Sequence, residues 1–417
     1  MSVLAPSRDR ARAQGASARD AVLLTGATGL VGTELLVRYL ERTQRTVYAL
    51  VRARDARHAD ERLRATLVGA FGAAQPFAGR VRALAGDVTQ PGLGLDPAVA
   101  AELAQAVSEI VHGAASVSFD IDLETARRVN VEGTREMLAL AESCQRHGGL
   151  RRFTYISTAY VAGEHRGAFG EDDLDVGQRF RNAYERSKFE SEQLVDACRD
   201  RLPITVVRPS IIVGDSASGW TSSFNVLYWP TRALARGSYP VLPARRRSPV
   251  DVVSVDYVAD AVLALTHAAG AAGHTYHLTA AEDATSMSEL LAIACDKLRC
   301  KAPPLISPCL YRHVIAPLMG CLQPSRRSFL RATATYVPYF AVRAHYDNAR
   351  ARGMLEPAGI VAARLGDYYS RLIDYALLTR WGDRPLTRAQ AADRVTRQQA
   401  PAPAAVSPSR SARRAAM

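Results

Sequence analysis

The run Leu23-Leu24-Thr25-Gly26-Ala27-Thr28-Gly29-Leu30-Val31-Gly32 constrains this chain more than any other feature. It follows an apolar, β-type stretch and opens a helical one, so its three glycines fall at a strand-to-helix turn. In that context Gly26 permits the tight turn, Gly29 lets backbone approach a pyrophosphate, and Gly32 lets the helix pack close to the strand. The helix N-terminus then offers unpaired N–H groups and the positive end of its dipole to phosphate. The segment reads as a dinucleotide loop, with Thr25, Gly26, Thr28, Gly29, Leu30, Val31 and Gly32 as candidate cofactor contacts.

The chain on either side of the loop keeps one rhythm. Short β-branched runs at Ala21–Thr25, Thr46–Val51, Val81–Ala85, Glu109–His112, Arg152–Ser157 and Ile204–Arg208 alternate with helical stretches at Val31–Glu41, Glu61–Ala70, Pro97–Ala106, Leu123–Cys144 and Asn182–Arg199. Strand and helix in strict alternation predict an α/β fold, a Rossmann-type doubly wound parallel sheet over residues 20–210. After Pro209 the pattern breaks, then resumes at Val250–Val253 and Thr275–Leu278. This predicts a smaller, discontinuous C-terminal substrate-binding part, mainly 211–385, with segments near 250–280 returning to the sheet. Residues 303–341 are rich in Pro and apolar side chains, and three readings stay open there: core packing, an apolar substrate channel, and a surface in peripheral contact with lipid.

The formal net charge of +12 raises the question of a nucleic-acid partner. Four arginines against two aspartates in residues 1–20, and eight against two in 380–417, carry most of it, leaving +4 on the body. That excludes a basic DNA-binding face, and residues 1–19 and 386–417 read as disordered tails. Six cysteines without a Cys-x-x-Cys pair or a matching His spacing argue against a metal site or a disulfide framework. No apolar signal core and no run of about 18 apolar residues occurs, so the expected location is cytoplasmic, without a transmembrane segment.

Cofactor choice is read after the second strand. An acidic residue there would accept from the ribose hydroxyls of NAD; this chain has Arg52, followed by Arg54, and a guanidinium pairs with a 2′-phosphate. NADPH is therefore the expected cofactor. Asp87 and Val88 follow the third strand, where a carboxylate can accept from the adenine amino group. His112 ends the fourth and is given no proton-transfer role.

Tyr184 and Lys188 lie four apart in a helical stretch and share one face. A phenol with an ordinary pKa of about 10 needs help to exchange protons near neutrality, and an adjacent ammonium supplies it. The same Lys188 can hold the nicotinamide ribose. The fifth strand ends at Ser157-Thr158, where Thr158 is favoured to complete a small oxyanion site with Tyr184. Asn130 reads as structural, fixing a helix against that strand.

Together, Gly26-x-x-Gly29-x-x-Gly32, Asp87, Thr158 and Tyr184-x-x-x-Lys188 resemble the extended short-chain dehydrogenase/reductase family over residues 21 to 280. Ile156-Ser157-Thr158-Ala159-Tyr160-Val161, Val207-Arg208-Pro209-Ser210-Ile211-Ile212-Val213-Gly214-Asp215 and Val255-Asp256-Tyr257-Val258-Ala259-Asp260 look like its thioester reductase and fatty acyl-CoA reductase branch. The resemblance implies NADPH-dependent reduction of an acyl thioester to an aldehyde and then, if a second hydride is delivered, an alcohol. The acyl donor would be acyl-CoA or an acyl carrier protein in trans, and Arg245, Arg246 and Arg247 are candidate contacts for its phosphates. Two alternatives stay open on the same scaffold: a nucleotide-sugar epimerase, dehydratase or hydroxysteroid-type dehydrogenase, and a noncatalytic NADP-sensing regulator.

Overall fold

The computed structural model describes residues 20–73, 77, 79–322, 329–330, 336, 338–339 and 342–399. Seven parallel strands form the central sheet: β1 (Ala21–Thr25), β2 (Thr46–Val51), β3 (Val81–Ala85), β4 (Val107–His112), β5 (Arg152–Ile156), β6 (Ile204–Pro209) and β7 (Thr275–Leu278), in the spatial order β7-β6-β5-β4-β1-β2-β3. β1 and β4 are neighbours in the sheet, paired from Ala21 and Val107 to Thr25 and His112, so the strand order reverses between them. In open sheets of this kind ligands bind outside the carboxyl ends of the strands at that reversal.

Every residue of β1, β4 and β6 is buried, as a parallel sheet covered on both faces requires. Alternate side chains feed two apolar layers. Val22 and Leu24 pack with α1 (Leu30–Arg42), α2 (Ala56–Phe71) and α6 (Val255–His267). Ala21 and Leu23 face α3 (Pro97–Ala106), α4 (Gly133–His147) and α5 (Ala183–Asp196).

The helix expected over 123–144 comes in pieces. A first turn at Leu123–Arg127 leads into a π-type turn at Arg128–Glu132, and α4 begins at Gly133. The expected strand over 250–253 is split into Pro249–Val250 and Val252–Ser254. Between them the Asp251 carboxylate accepts from the Ala280 and Ala281 amides at 2.8 and 3.0 Å.

The C-terminal part has its own core, built by the helix Tyr228–Ala235, α7 (Met287–Leu298) and α8 (Leu365–Leu378). Helix Ala349–Leu355 returns to the sheet side, where Ala351 and Leu355 pack against α6. Leu310, Val314 and Leu318 repeat every four residues and are 47, 50 and 53% exposed, whereas Tyr311 is buried.

The expected disordered tail from 386 is corrected over α9 (Arg388–Gln399). That helix is held by Ala391, buried against Trp220, and by an ion pair of Arg388 to the buried Glu34 at 2.6 Å. Residues 1–19 and 400–417, also expected as disordered, lie outside the described residues. No helix among the described residues is long and apolar enough to cross a membrane.

Candidate active site

The glycine loop has the form its spacing predicts. Gly26 stands at φ +75°, and a Cβ there would lie 2.8 Å from the carbonyl of Gly113 at the end of β4. A Cβ on Gly32 would lie 2.0 Å from the Gly26 carbonyl oxygen, so only glycine lets α1 sit this close to the turn. Gly29 donates to the Gly26 carbonyl at 2.9 Å and precedes α1, which has no capping side chain and no acid in its first turn. Its leading N–H groups are thus available to an anion. Thr28, Leu30 and Val31 are half-buried beside it. The cradle fits the pyrophosphate of a dinucleotide.

Thr25 is fully buried and serves the loop from within. Its hydroxyl bonds His112 Nδ1 at 2.8 Å and accepts from the Gly113 and Ala114 amides at 3.2 and 3.0 Å. His112 Nε2 meets Thr134 Oγ1 at 3.2 Å, and burial pushes the imidazole down to about 3, so it stays neutral.

At the end of β2, Arg52 is exposed, with no ion-pair partner among the described residues, and its carbonyl accepts from Arg62. Arg54 pairs with Asp55 at 3.4 Å. Asp87 Oδ1 accepts from the Thr89 amide and hydroxyl, both at 2.9 Å, and Val88 packs over Gly133 at the start of α4.

Tyr184 and Lys188 project from α5 toward the end of β5, where Thr158 is buried. Asn182 caps α5, accepting from the Glu185 amide at 3.0 Å. Burial pushes the Tyr184 phenol up to about 12; a hydrogen bond with Thr158 pulls it down and Glu185 pushes it further up. Thr158 also donates to the Pro209 carbonyl at 3.3 Å.

Lys188 departs from the sequence expectation. Its ammonium donates to the Tyr155 hydroxyl at 2.7 Å and to the Ile156 carbonyl at 2.8 Å, so it serves β5 instead of the Tyr184 phenol. A buried ammonium must be hydrogen-bonded, and the end of β5 supplies the acceptors. Burial still brings Lys188 down to about 7, against an upward pull from Glu192 one turn along α5.

Glu192 anchors a buried polar group that the sequence reading missed. It accepts from Ser157 and pairs with Arg208 at 2.6 Å, and Arg208 reaches His277 at 3.1 Å. Ser157 is thus turned to Glu192, and Thr158 is the hydroxyl beside Tyr184. Asn130, in the π-type turn, accepts from the Ser116 amide at 2.8 Å and donates to Ser187 at 2.8 Å, tying the loop after β4 to α5.

The family described as male sterility protein, an NAD-binding family, matches residues 24–262. This chain belongs to that family. It is of the extended short-chain dehydrogenase/reductase type, and its cofactor is a nicotinamide dinucleotide. It is 35% identical to an isonitrile lipopeptide synthase of Streptomyces coeruleorubidus over 53% of this chain and 15% of that protein. It is 32% identical to a carboxylic acid reductase of Mycobacterium tuberculosis over 59% of this chain and 23% of that protein. The chain therefore spans less than a quarter of these relatives. In fold it is similar to the terminal R domain from the myxalamid PKS-NRPS pathway, with a TM-score of 0.76, 24% identity and coverage of 88% of this chain and 93% of that one.

Proposed function

We propose that this chain is an NADPH-dependent reductase that converts an acyl thioester to an aldehyde. The observation that carries the reading is the placement of Thr158 and Tyr184 together at the carboxyl end of β5, beside a dinucleotide loop, in a member of this family. The names of the relatives, a carboxylic acid reductase and a lipopeptide synthase, support an acyl group carried as a thioester.

The bound dinucleotide supplies the hydride. The chain's own residues do the rest. A Tyr184 phenol at about 12 is protonated at neutral pH, so it donates to the thioester carbonyl oxygen and stabilises the negative charge developing there; Thr158 becomes the second donor when its hydroxyl turns from the Pro209 carbonyl to that oxygen. Lys188, protonated, holds the nicotinamide ribose. Breaking the carbon–sulfur bond of the hemithioacetal then releases thiol and aldehyde, and reduction of the aldehyde would give the alcohol.

Arg52 supports NADPH over NADH, because an exposed guanidinium with no ion-pair partner among the described residues stands where an NAD enzyme uses a carboxylate. The same feature disfavours the nucleotide-sugar reading. The acyl donor is acyl-CoA or a carrier-bound acyl group; Arg245, Arg246 and Arg247 form an exposed turn suited to its phosphates. The test is NADPH oxidation with a panel of acyl-CoAs and acyl-pantetheine thioesters, NADH alongside. Turnover with NADPH is expected. Turnover only with ketones, alcohols or nucleotide sugars overturns the reading.

A further inference from the structure

Lys188 is one of only three lysines in a chain that otherwise draws its cations from arginine, the others being Lys297 and Lys301. Lysine is the cation that burial can bring into the neutral range, which arginine does not do. An ammonium has three donors. Two are engaged, by the Ile156 carbonyl and the Tyr155 hydroxyl. The carbonyl belongs to the backbone and would be present with any residue at 156, whereas the hydroxyl exists only because residue 155 is tyrosine.

Tyr155 is itself held in place. It is buried on β5, its ring 5.8 Å from that of His112, with Lys188 Nζ 4.2 Å from its ring centroid. The Ser191 and Thr134 hydroxyls lie beside it and lower its pKa against the rise from burial. Those hydroxyls donate in turn to the Asn130 carbonyl, at 2.8 and 2.6 Å. The phenol oxygen is thereby held where it accepts from Lys188 at 2.7 Å.

The geometry points to Tyr155 as a positioning residue that keeps the Lys188 ammonium charged and leaves its third donor for a ribose hydroxyl of the cofactor. The inference rests on the reading of Lys188 as the ribose-holding residue, and not on the identity of the acyl substrate. The groups facing Lys188 are Glu192 and Tyr184 along α5, Tyr155 and the Ile156 carbonyl on β5, and a neutral His112 on β4. Glu192 favours the ammonium but is already paired with Arg208 and Ser157. Burial has brought Lys188 to about 7, so loss of an acceptor takes effect in the neutral range. A hydrogen bond to the charged form raises the pKa of an amine, so its removal lowers the pKa and shrinks the protonated fraction at neutral pH.

The experiment needs no thioester. NADPH binding is followed by fluorescence from pH 5.5 to 9 in the wild type, Tyr155→Phe and Lys188→Met, with folding checked by circular dichroism. Lys188→Met records the cofactor's own phosphate titration, and its difference from the wild type isolates Lys188. In Tyr155→Phe the pH at which affinity begins to fall moves down by about one unit, the scale of one charge-assisted hydrogen bond. Affinities of the two proteins converge at the acid end. With three lysines, carbon-13 lysine NMR reads the same shift directly as an earlier titration of the buried signal. Uniform weakening with the break unmoved, or no change, overturns the inference. If Tyr155→Phe does not fold, Tyr155→Met, which fills the space with an adaptable apolar chain, must give the same downward shift; an unmoved break there overturns it equally.

Discussion

Arg52 and Tyr184 show how position gives meaning to ordinary side chains. An exposed arginine is unremarkable until it stands at the end of β2 with no ion-pair partner among the described residues. Arg52→Glu is expected to weaken NADPH binding at least tenfold while leaving NADH within a few-fold, since a single charge-assisted pair contributes about 1.5–3 kcal/mol. Equal losses for both cofactors would show that Arg52 does not meet the 2′-phosphate. At this scale the sequence was informative wherever backbone spacing decides the outcome: Gly26 and Gly32 shape the turn that leaves β1, and Thr158 stands at the end of β5 beside Tyr184. It misled on Lys188. Spacing along a helix says which face a side chain leaves from, but the acceptors that capture a long ammonium come from β5. Tyr155, Glu192 and Arg208 were missed for the same reason, since their partnerships join residues far apart in the chain. The one local hint was period two: Tyr155 and Ser157 leave β5 on the same side, and both meet α5.

Among the elements, the strands were the most legible. Five of the six expected for the first half agree at both ends to within a residue, because a strand buried on both faces leaves an uninterrupted apolar run. The helix over 123–144 was less so, since nothing local marks the π-type turn. It is held by tertiary bonds to α5, the Asn130 carbonyl accepting from Ser191 and its side-chain amide donating to Ser187. The turn between β1 and α1 offers the sharpest test of an element. Gly32→Ala would place a methyl 2.0 Å from the Gly26 carbonyl oxygen, forcing α1 away from the loop. The variant is expected to lose NADPH binding in a fluorescence titration and to melt several degrees lower. Unchanged binding would show that the loop tolerates a wider turn and that its geometry does not set affinity.

Over the whole molecule, α9 shows where composition misleads. Arg388–Gln399 is polar enough to read as a solvated tail, yet Arg388 completes the pairing of a carboxylate buried on α1, and Ala391 fits against Trp220. The described C-terminal helix is thereby joined to the element that carries the dinucleotide loop. A second whole-molecule property arises from two buried histidines. His112 and His277 are both brought down to about 3, each chiefly by burial, from an ordinary value near 6.5. The unfolded chain therefore binds more protons than the folded one between about 3 and 6.5, and stability rises with pH across that window. Melting temperature should fall as pH drops from 6.5 toward 4, and His277→Gln should flatten the dependence even if it melts lower at neutral pH. A slope unchanged in the variant would contradict the assignment.

The central claim is that Thr158 and Tyr184 activate a thioester carbonyl for reduction. It is tested most directly by following thiol release and NADPH oxidation together, with a single long-chain acyl-CoA, in the wild type and in Tyr184→Phe. The account predicts free thiol in step with NADPH, one for one if the aldehyde is the product and one thiol per two NADPH if the alcohol is. It also predicts a rate lower by about 10²–10⁴-fold in the variant, with NADPH binding intact. NADPH oxidation without thiol release, or full turnover in Tyr184→Phe, would contradict it.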